Sequence, residues 1–96
     1  GGTIFVTRII LDVTTAATAA CTIDVGVAAN GTTSNDTLID GLDINTAAGV
    51  FDNIENQGTN GVSTKKVTSS QYITASKASG AAAGTVGYAY IFYHIL

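Results

Sequence analysis

The segment CTIDVGVA, residues 21–28, carries the clearest structural pattern in the chain. Its apolar side chains occupy every second position, while Thr, Asp, Gly and Ala fill the positions between them. Because side chains along a β-strand point alternately to opposite faces, this pattern predicts an antiparallel strand with one buried face. The residues predicted to face the core are Cys21, Ile23, Val25 and Val27.

The segment TIFVTRIILDV, residues 3–13, is rich in β-branched and aromatic residues and predicts a second strand. Both of its faces are largely apolar, which is typical of a strand that is covered on both sides, here by the core and by another subunit. Strict alternation would place Phe5, Ile9, Leu11 and Val13 on one face, and Ile4, Val6, Arg8, Ile10 and Asp12 on the other.

The rest of the chain continues in the same manner. Three further segments have the composition of β-strands: residues 48–55, residues 64–78 and VGYAYIFYHIL at residues 86–96. Within 64–78, the positions expected to be buried are Val67, Tyr72 and Ile73. Turn residues separate these runs, and no stretch repeats with the helical period of 3.6. We therefore predict one all-β domain over residues 1–96, a small antiparallel β-sandwich of jelly-roll-like form with at most one short helical turn.

Composition restricts the classes of function. Charged residues make up 11% of the chain, against about 25% in a typical domain. This low content favours an assembly subunit whose surface is covered by neighbours over a free cytosolic enzyme.

Four cations and a net charge of −3 argue against nucleic-acid binding. No apolar run approaches the roughly 18–20 residues of a membrane span, so no membrane partner is expected. The sequence has no methionine, which predicts processing or the C-terminal part of a longer chain.

Residues with catalytic chemistry are few. Cys21 is the one cysteine, so an internal disulfide is excluded and a small buried side chain is expected. His94 is the one histidine and lies in a strongly apolar segment, which favours a packed or interfacial residue over a catalytic base. One cysteine and one histidine cannot build a structural zinc site within the chain. We expect neither an enzyme nor a cofactor.

The segment SNDTLIDGLDIN, residues 34–45, contains three aspartates and a glycine, a composition that suggests a calcium loop. A loop starting at Asp36 would need oxygen ligands at its third and twelfth positions, where Leu38 and Ala47 stand, so the EF-hand pattern fails. A looser metal site built from Asp36, Asp40 and Asp43 stays open as an alternative. The favoured interpretation anchors the segment through its apolar residues and leaves the aspartates to bind turn amides or face solvent. The anchoring residues are Leu38, Ile39, Leu42 and Ile44.

Several segments together resemble small structural proteins encoded in the head gene modules of tailed bacteriophages. The resemblance covers roughly residues 10–93 and rests on TIDVG, LIDGLD, GVFDN, the GTNG loop and the run ASGAAAGTVGYAYIFY near the end. It implies a virion component without catalytic residues, either a capsid decoration (cement) protein or a domain of a head fibre or other accessory virion protein. Residues 39–43, 49–53 and 80–90 match the pattern as turns and strands that determine the fold.

From the residues and the resemblance together we expect a non-enzymatic cement protein on the capsid surface of the virion. Its expected partners are the major capsid protein and copies of itself in a homotrimer. The alternatives are a receptor- or glycan-binding domain of a head or tail fibre, which requires exposed tyrosines, and a subunit of an extracellular filament. The expected interface residues are Ile4, Val6, Tyr88, Tyr90, Phe92 and Tyr93, with Lys65 and Lys66 either contacting an acidic capsid surface or solvated.

Overall fold

A computed structural model of the chain describes residues 2–96, which contain seven strands and no helix. The strands form two antiparallel sheets packed face to face, so the predicted small β-sandwich is confirmed. A complete jelly roll has eight strands, one more than these residues supply. In chain order the strands are β1 (Ile4–Thr15), β2 (Cys21–Ala28), β3 (Ile39–Asp43), β4 (Gly49–Asp52), β5 (Lys65–Val67), β6 (Tyr72–Gly80) and β7 (Val86–Ile95).

The first sheet is organised around β1, its longest strand. β7 pairs with β1 along almost its whole length, while β5 pairs with residues 4–6 and β4 with residues 10–13. Since β7 occupies one edge of β1, the two short strands share the other edge. The second sheet has the order β3-β2-β6. Both sheets therefore end in a long strand, β7 in one and β6 in the other.

The core lies between the sheets and is made of aliphatic residues from β1, β2 and the segment around β3. The strand predicted from CTIDVGVA forms, with Cys21, Val25 and Val27 buried as expected. Ile23 is only partly buried, and Gly26 and Ala28, which were assigned to the exposed face, are buried as well. The apolar residues that were expected to anchor residues 34–45 are all buried, which confirms that prediction. They are Leu38, Ile39, Leu42 and Ile44.

One extra residue in β1 corrects the predicted assignment of its faces. The pairing of β1 with β7 shifts between Val6 and Arg8, so Thr7 is an unpaired bulge residue. A single inserted residue reverses the alternation. Val6 consequently faces the core together with Ile9, Leu11 and Val13, which are all buried. The expectation of Val6 at a subunit interface is therefore wrong, because its side chain is completely buried within the chain.

Two smaller expectations also differ from the structure. A short helical turn was allowed for in the prediction. The structure has in its place a single turn, closed by a hydrogen bond from the Asn56 N–H to the Asp52 carbonyl, that does not continue into a helix. Tyr72, expected in the core, is more than half exposed, whereas Val67 is buried and Ile73 packs partly against the core. Tyr72 begins an edge strand, and such positions have few neighbours to cover a large ring.

Candidate functional site

The most unusual surface of the protein is β7, the last strand in chain order. All ten of its residues are exposed, although most of them are apolar or aromatic. Its large side chains leave between 43% and 68% of their surface accessible. Monomeric proteins rarely expose a contiguous apolar surface of this kind unless it binds something. These residues are Val86, Tyr88, Tyr90, Ile91, Phe92, Tyr93 and Ile95.

β7 is held in register by two threonine bulges in β1. The pairing shifts once around Thr7 and again around Thr14. At each bulge the threonine hydroxyl donates a hydrogen bond to a β7 carbonyl, from Thr7 to Phe92 at 3.2 Å and from Thr14 to Val86 at 3.1 Å. The irregularity thus lies in β1, and β7 contributes no extra residue to the pairing.

The alternation along β7 creates two different faces. Tyr88, Tyr90 and Phe92 pair with Asp12, Ile10 and Arg8, so they lie on the outer face of the sheet. An aromatic row therefore runs along this face, which we call the outer aromatic row. Asp12 and the ion pair formed by Arg8 lie directly beside it.

The inner face of β7 borders an open cleft between the two sheets. Ala89 and Ile91 line this cleft together with Ile73 and Ala75 of β6, and Ile9, Leu11 and Val25 form its floor. Its volume is about 150 Å³. The second sheet therefore ends without covering β7, and the core remains accessible along the side of the sandwich where β6 and β7 run.

The free edge of β7 presents unpaired backbone groups. The Phe92 and Val86 carbonyls point toward β1, where the threonines bind them, and the Leu96 N–H donates to the Thr3 carbonyl. Because backbone groups alternate along a strand, the even-numbered residues of β7 face β1. The odd-numbered residues, such as Ala89, Ile91 and Tyr93, point their N–H and C=O groups outward. Within residues 2–96, β1 is the one strand that pairs with β7.

β7 itself contains no Asp, Glu, Lys or Arg, and the charged groups beside it belong to β1, where Arg8 pairs with Phe92 and Asp12 with Tyr88. Arg8 and Asp52 form the one ion pair found in residues 2–96, with an N–O distance of 2.9 Å. The pKa of the Asp52 carboxyl is lowered, first by the Glu55 N–H, then by the Arg8 side chain and the Ile54 N–H. Asp52 is thereby held ionised in a turn at the far edge of the first sheet.

The candidate metal ligands do not converge. Asp36 and Asp40 both accept hydrogen bonds from Asn60, from its side-chain amide and its backbone N–H respectively. Asp43 instead accepts from the backbone N–H groups of Asn45 and Thr46 and from the Thr46 hydroxyl. No group of three acidic, histidine or cysteine side chains suited to a metal ion occurs among residues 2–96. Asp36, Asp40 and Asp43 therefore do not gather into the looser metal site. Asp40 and Asp43 accept from turn N–H groups, as the favoured interpretation held, whereas Asp36 accepts from the Asn60 side-chain amide.

The pKa of Asp43 is lowered by these contacts, with the Thr46 hydroxyl as the largest cause and the two backbone N–H groups next. A shallow depression near this turn is lined by Asp40, Asp43, Phe51 and Asn56. Asp40, Asp43 and Asn56 use their side chains to bind backbone N–H groups of nearby loops and turns. We therefore assign no ligand to this depression.

The other expected interface residues lie in several places. Tyr88, Tyr90, Phe92 and Tyr93 are exposed on β7, and Ile4 packs partly against the core at the end of β1. Lys66 is exposed and pairs with Phe5 on the outer face, whereas Lys65 is half-buried. His94 is exposed on β7 opposite Phe5. Lys66 and His94 thus lie at one end of the outer aromatic row.

Sequence reasoning missed the exposure of Ile91 and Ile95. Both alternate onto the core-facing side of β7, where an isoleucine is expected to be buried. No pattern within the strand indicates that the opposite sheet ends before reaching them. The four tyrosines of the chain, Tyr72, Tyr88, Tyr90 and Tyr93, are all displayed to solvent in the single chain.

Comparison with known protein families, with curated proteins and with solved structures finds no match for this chain. Within residues 2–96, no helix has the length and apolar character needed to cross a membrane.

Proposed function

We propose that this protein is a non-enzymatic structural subunit of a tailed-phage virion, attached to the outside of the head as a decoration (cement) protein. The observation that carries the proposal is the exposed, uncharged strand β7 with its unpaired backbone edge. Such a surface favours a protein that is covered when it works, because an exposed apolar edge strand otherwise leads to aggregation. The phage assignment itself rests on the sequence resemblance.

Attachment would be driven by burial of apolar and aromatic surface against the major capsid protein and against copies of the same chain. Aromatic side chains contribute large buried areas and can keep a phenol hydroxyl bonded at the same time. A shell offers many identical sites, so modest individual contacts between connected subunits add up to firm attachment. Lys66 and Lys65, at one end of the first sheet, are proposed to approach an acidic patch of the shell.

The proposal is tested on heads of the phage that encodes the chain, prepared with and without it and imaged by cryo-electron microscopy. We expect surface protrusions to disappear in its absence and to return when the purified protein is added back. Heads without it should lose their DNA at a lower temperature or under a milder osmotic shock. Density confined to the tail or to fibres would contradict the cement function.

A second candidate function is supported by the display of all four tyrosines, namely binding of a glycan or a surface receptor by a fibre domain. Tyr88 and Tyr90 form a flat apolar row, and Asp12 and Arg8 beside it supply polar groups that could orient a sugar. A heteronuclear NMR titration with host-surface polysaccharide would show shifts along this row, and Tyr90→Ala should abolish them. Shifts that are absent, or that survive Tyr90→Ala, would argue against glycan binding.

A further inference from the structure

The two sheets have four edges, and three of them carry features that prevent further strand pairing. β4 and β5 are short, with 4 and 3 residues. β3 has 5 residues and an irregular register around Gly41. Short edge strands and bulges are recognised ways of blocking the addition of another strand.

β6 is a long edge strand but carries two protective features. Lys77 pairs with Ile23, on the same side as Ala75 and Ile73, so it sits on the core-facing side of the edge. The register also shifts by one residue at Ala78, between Lys77 and Ser79. An inward-facing charge and a bulge both prevent edge-to-edge pairing.

β7 carries neither feature. It is 10 residues long, contains no charge and no proline, and its partner β1 takes up both irregularities of their shared register. Its odd-numbered residues present unpaired N–H and C=O groups along an edge without a bulge, which is roughly 33 Å long. Among the four edges of the described sandwich, β7 is thus the one without a feature that blocks pairing with another strand.

We propose that β7 pairs antiparallel with β7 of a second copy of this chain about a two-fold axis, joining the first sheets of both copies into one continuous sheet. This inference concerns the isolated chain and does not depend on the proposed place on a phage head.

Charge is the first reason to choose a second copy as the occupant. A two-fold contact places a strand against itself, so any charge near the axis would meet its own sign. The ten residues of β7 include no Asp, Glu, Lys or Arg, and therefore meet no repulsion. An edge strand that binds a charged partner is expected to carry charges complementary to that partner.

Edge length and closure are the second reason. The other edge of the first sheet consists of β4 and β5, which are too short to match ten residues, and β6 is protected by Lys77. Pairing of β7 with any of them would be heterologous, which leaves one β7 edge free at the end of the assembly unless the chains close into a ring. Pairing of β7 with β7 leaves none, because an isologous contact closes on itself.

The exposed area is consistent with a stable dimer. Tyr88, Tyr90, Phe92 and Tyr93 each leave about half of their surface exposed, and rings of ~200 Å² each would offer roughly 400 Å² per copy. A standard protein–protein interface buries about 800 Å² of accessible surface on each partner. Ile91, Ile95 and Val86, with the backbone edge itself, are available for the remainder.

The backbone directions restrict the register. Outward hydrogen-bonding groups belong to odd-numbered residues, so odd must face odd across the axis. A pair that uses the full length of β7 then places the axis at Tyr90 or at Ile91. Residues on the axis face their own copies at Cα separations of about 4.5–5.5 Å, which lies within the range that a disulfide can bridge.

The first test measures the mass of the purified chain by sedimentation velocity over a range of concentrations, comparing the parent with Ile91→Lys and Ile54→Lys. The parent should sediment as a dimer. Ile91→Lys imitates the protection seen in β6 and should raise the dimer dissociation constant at least tenfold. Ile54→Lys introduces the same change at a site that is 52% exposed and remote from β7, and should leave dissociation unchanged. Circular dichroism confirms that each variant is folded.

The second test places single cysteines on the axis in a Cys21→Ser background. Either Tyr90→Cys or Ile91→Cys should form a disulfide-linked dimer under mild oxidation, and Ile54→Cys should not. A parent that is monomeric or polymeric, or that forms the trimer expected from the sequence, would overturn the two-fold pairing. Failure of both axis cysteines to cross-link would overturn it as well.

Discussion

The side-chain oxygen Oδ1 of Asn53 accepts a hydrogen bond from the backbone N–H of Ile9 at 2.8 Å. Asn53 is completely buried, and its Nδ2 donates to the carbonyls of Val62 and Ser63, each at 2.9 Å. The backbone N–H of Asn53 also donates to the Ile9 carbonyl. The side chain of one residue therefore ties β1 to the end of β4 and to the loop before β5.

Replacement of Asn53 by alanine should lower the free energy of unfolding by about 2–4 kcal/mol, because it leaves a buried N–H and two carbonyls without partners. Asn53→Asp should also destabilise at neutral pH, since an ionised carboxylate would face two carbonyl oxygens. Urea denaturation gives the change. Asn60→Ala, which removes one hydrogen bond at an exposed site, is the control and should cost less than about 1 kcal/mol.

Deletion of Thr7 should destabilise far more than its substitution. Without the bulge residue, strict alternation would turn Val6 out of the core or shift Ile9 and Leu11 to the outer face. We expect a loss of more than about 3 kcal/mol, or failure to fold. Thr7→Ala keeps the register and loses one exposed hydrogen bond, so about 1 kcal/mol or less is expected. Equal losses in the two variants would contradict the role given to the bulge.

Stability should fall in acid. The pKa values of Asp43 and Asp52 lie below 3.8 in the folded protein, because hydrogen bonds favour their ionised forms. The unfolded chain therefore binds protons more readily, so the contribution is fully present above pH 3.8 and is lost as the pH falls through the lowered folded values. Melting temperatures recorded between pH 2 and pH 7 should show this decline. Asp43→Asn should flatten it, and an unchanged slope would contradict the assignment.

Two glycines with positive φ should respond differently to alanine. Gly41 has φ of 74° with open space where a Cβ would lie, whereas a Cβ on Gly58, φ 72°, would collide with the Asp40 carbonyl. Gly41→Ala should cost about 1–2 kcal/mol for the left-handed backbone alone. Gly58→Ala adds a steric clash with backbone and should cost clearly more by thermal or urea unfolding. Similar losses would show that the loop moves away from β3.

The aromatic and aliphatic composition of the chain's last segment predicted a strand there, and Val86–Ile95 is that strand. The pattern of residues 34–45 likewise predicted buried apolar anchors and turn-binding aspartates, and both are present. These predictions succeeded because alternation and turn chemistry act over a few residues. Asn53 was not identified in advance, since nothing local distinguishes a buried asparagine from the exposed ones in neighbouring loops.

Local sequence patterns were enough to establish the structural class, because short alternating segments, turn residues between them and the absence of helical periodicity indicate an antiparallel all-β domain. Which residues face the core required the tertiary structure, because one bulge at Thr7 reverses the alternation of β1. The exposure of β7 also depended on the tertiary structure. A strand shows its own pattern in sequence, but whether a second sheet covers it depends on where distant strands end.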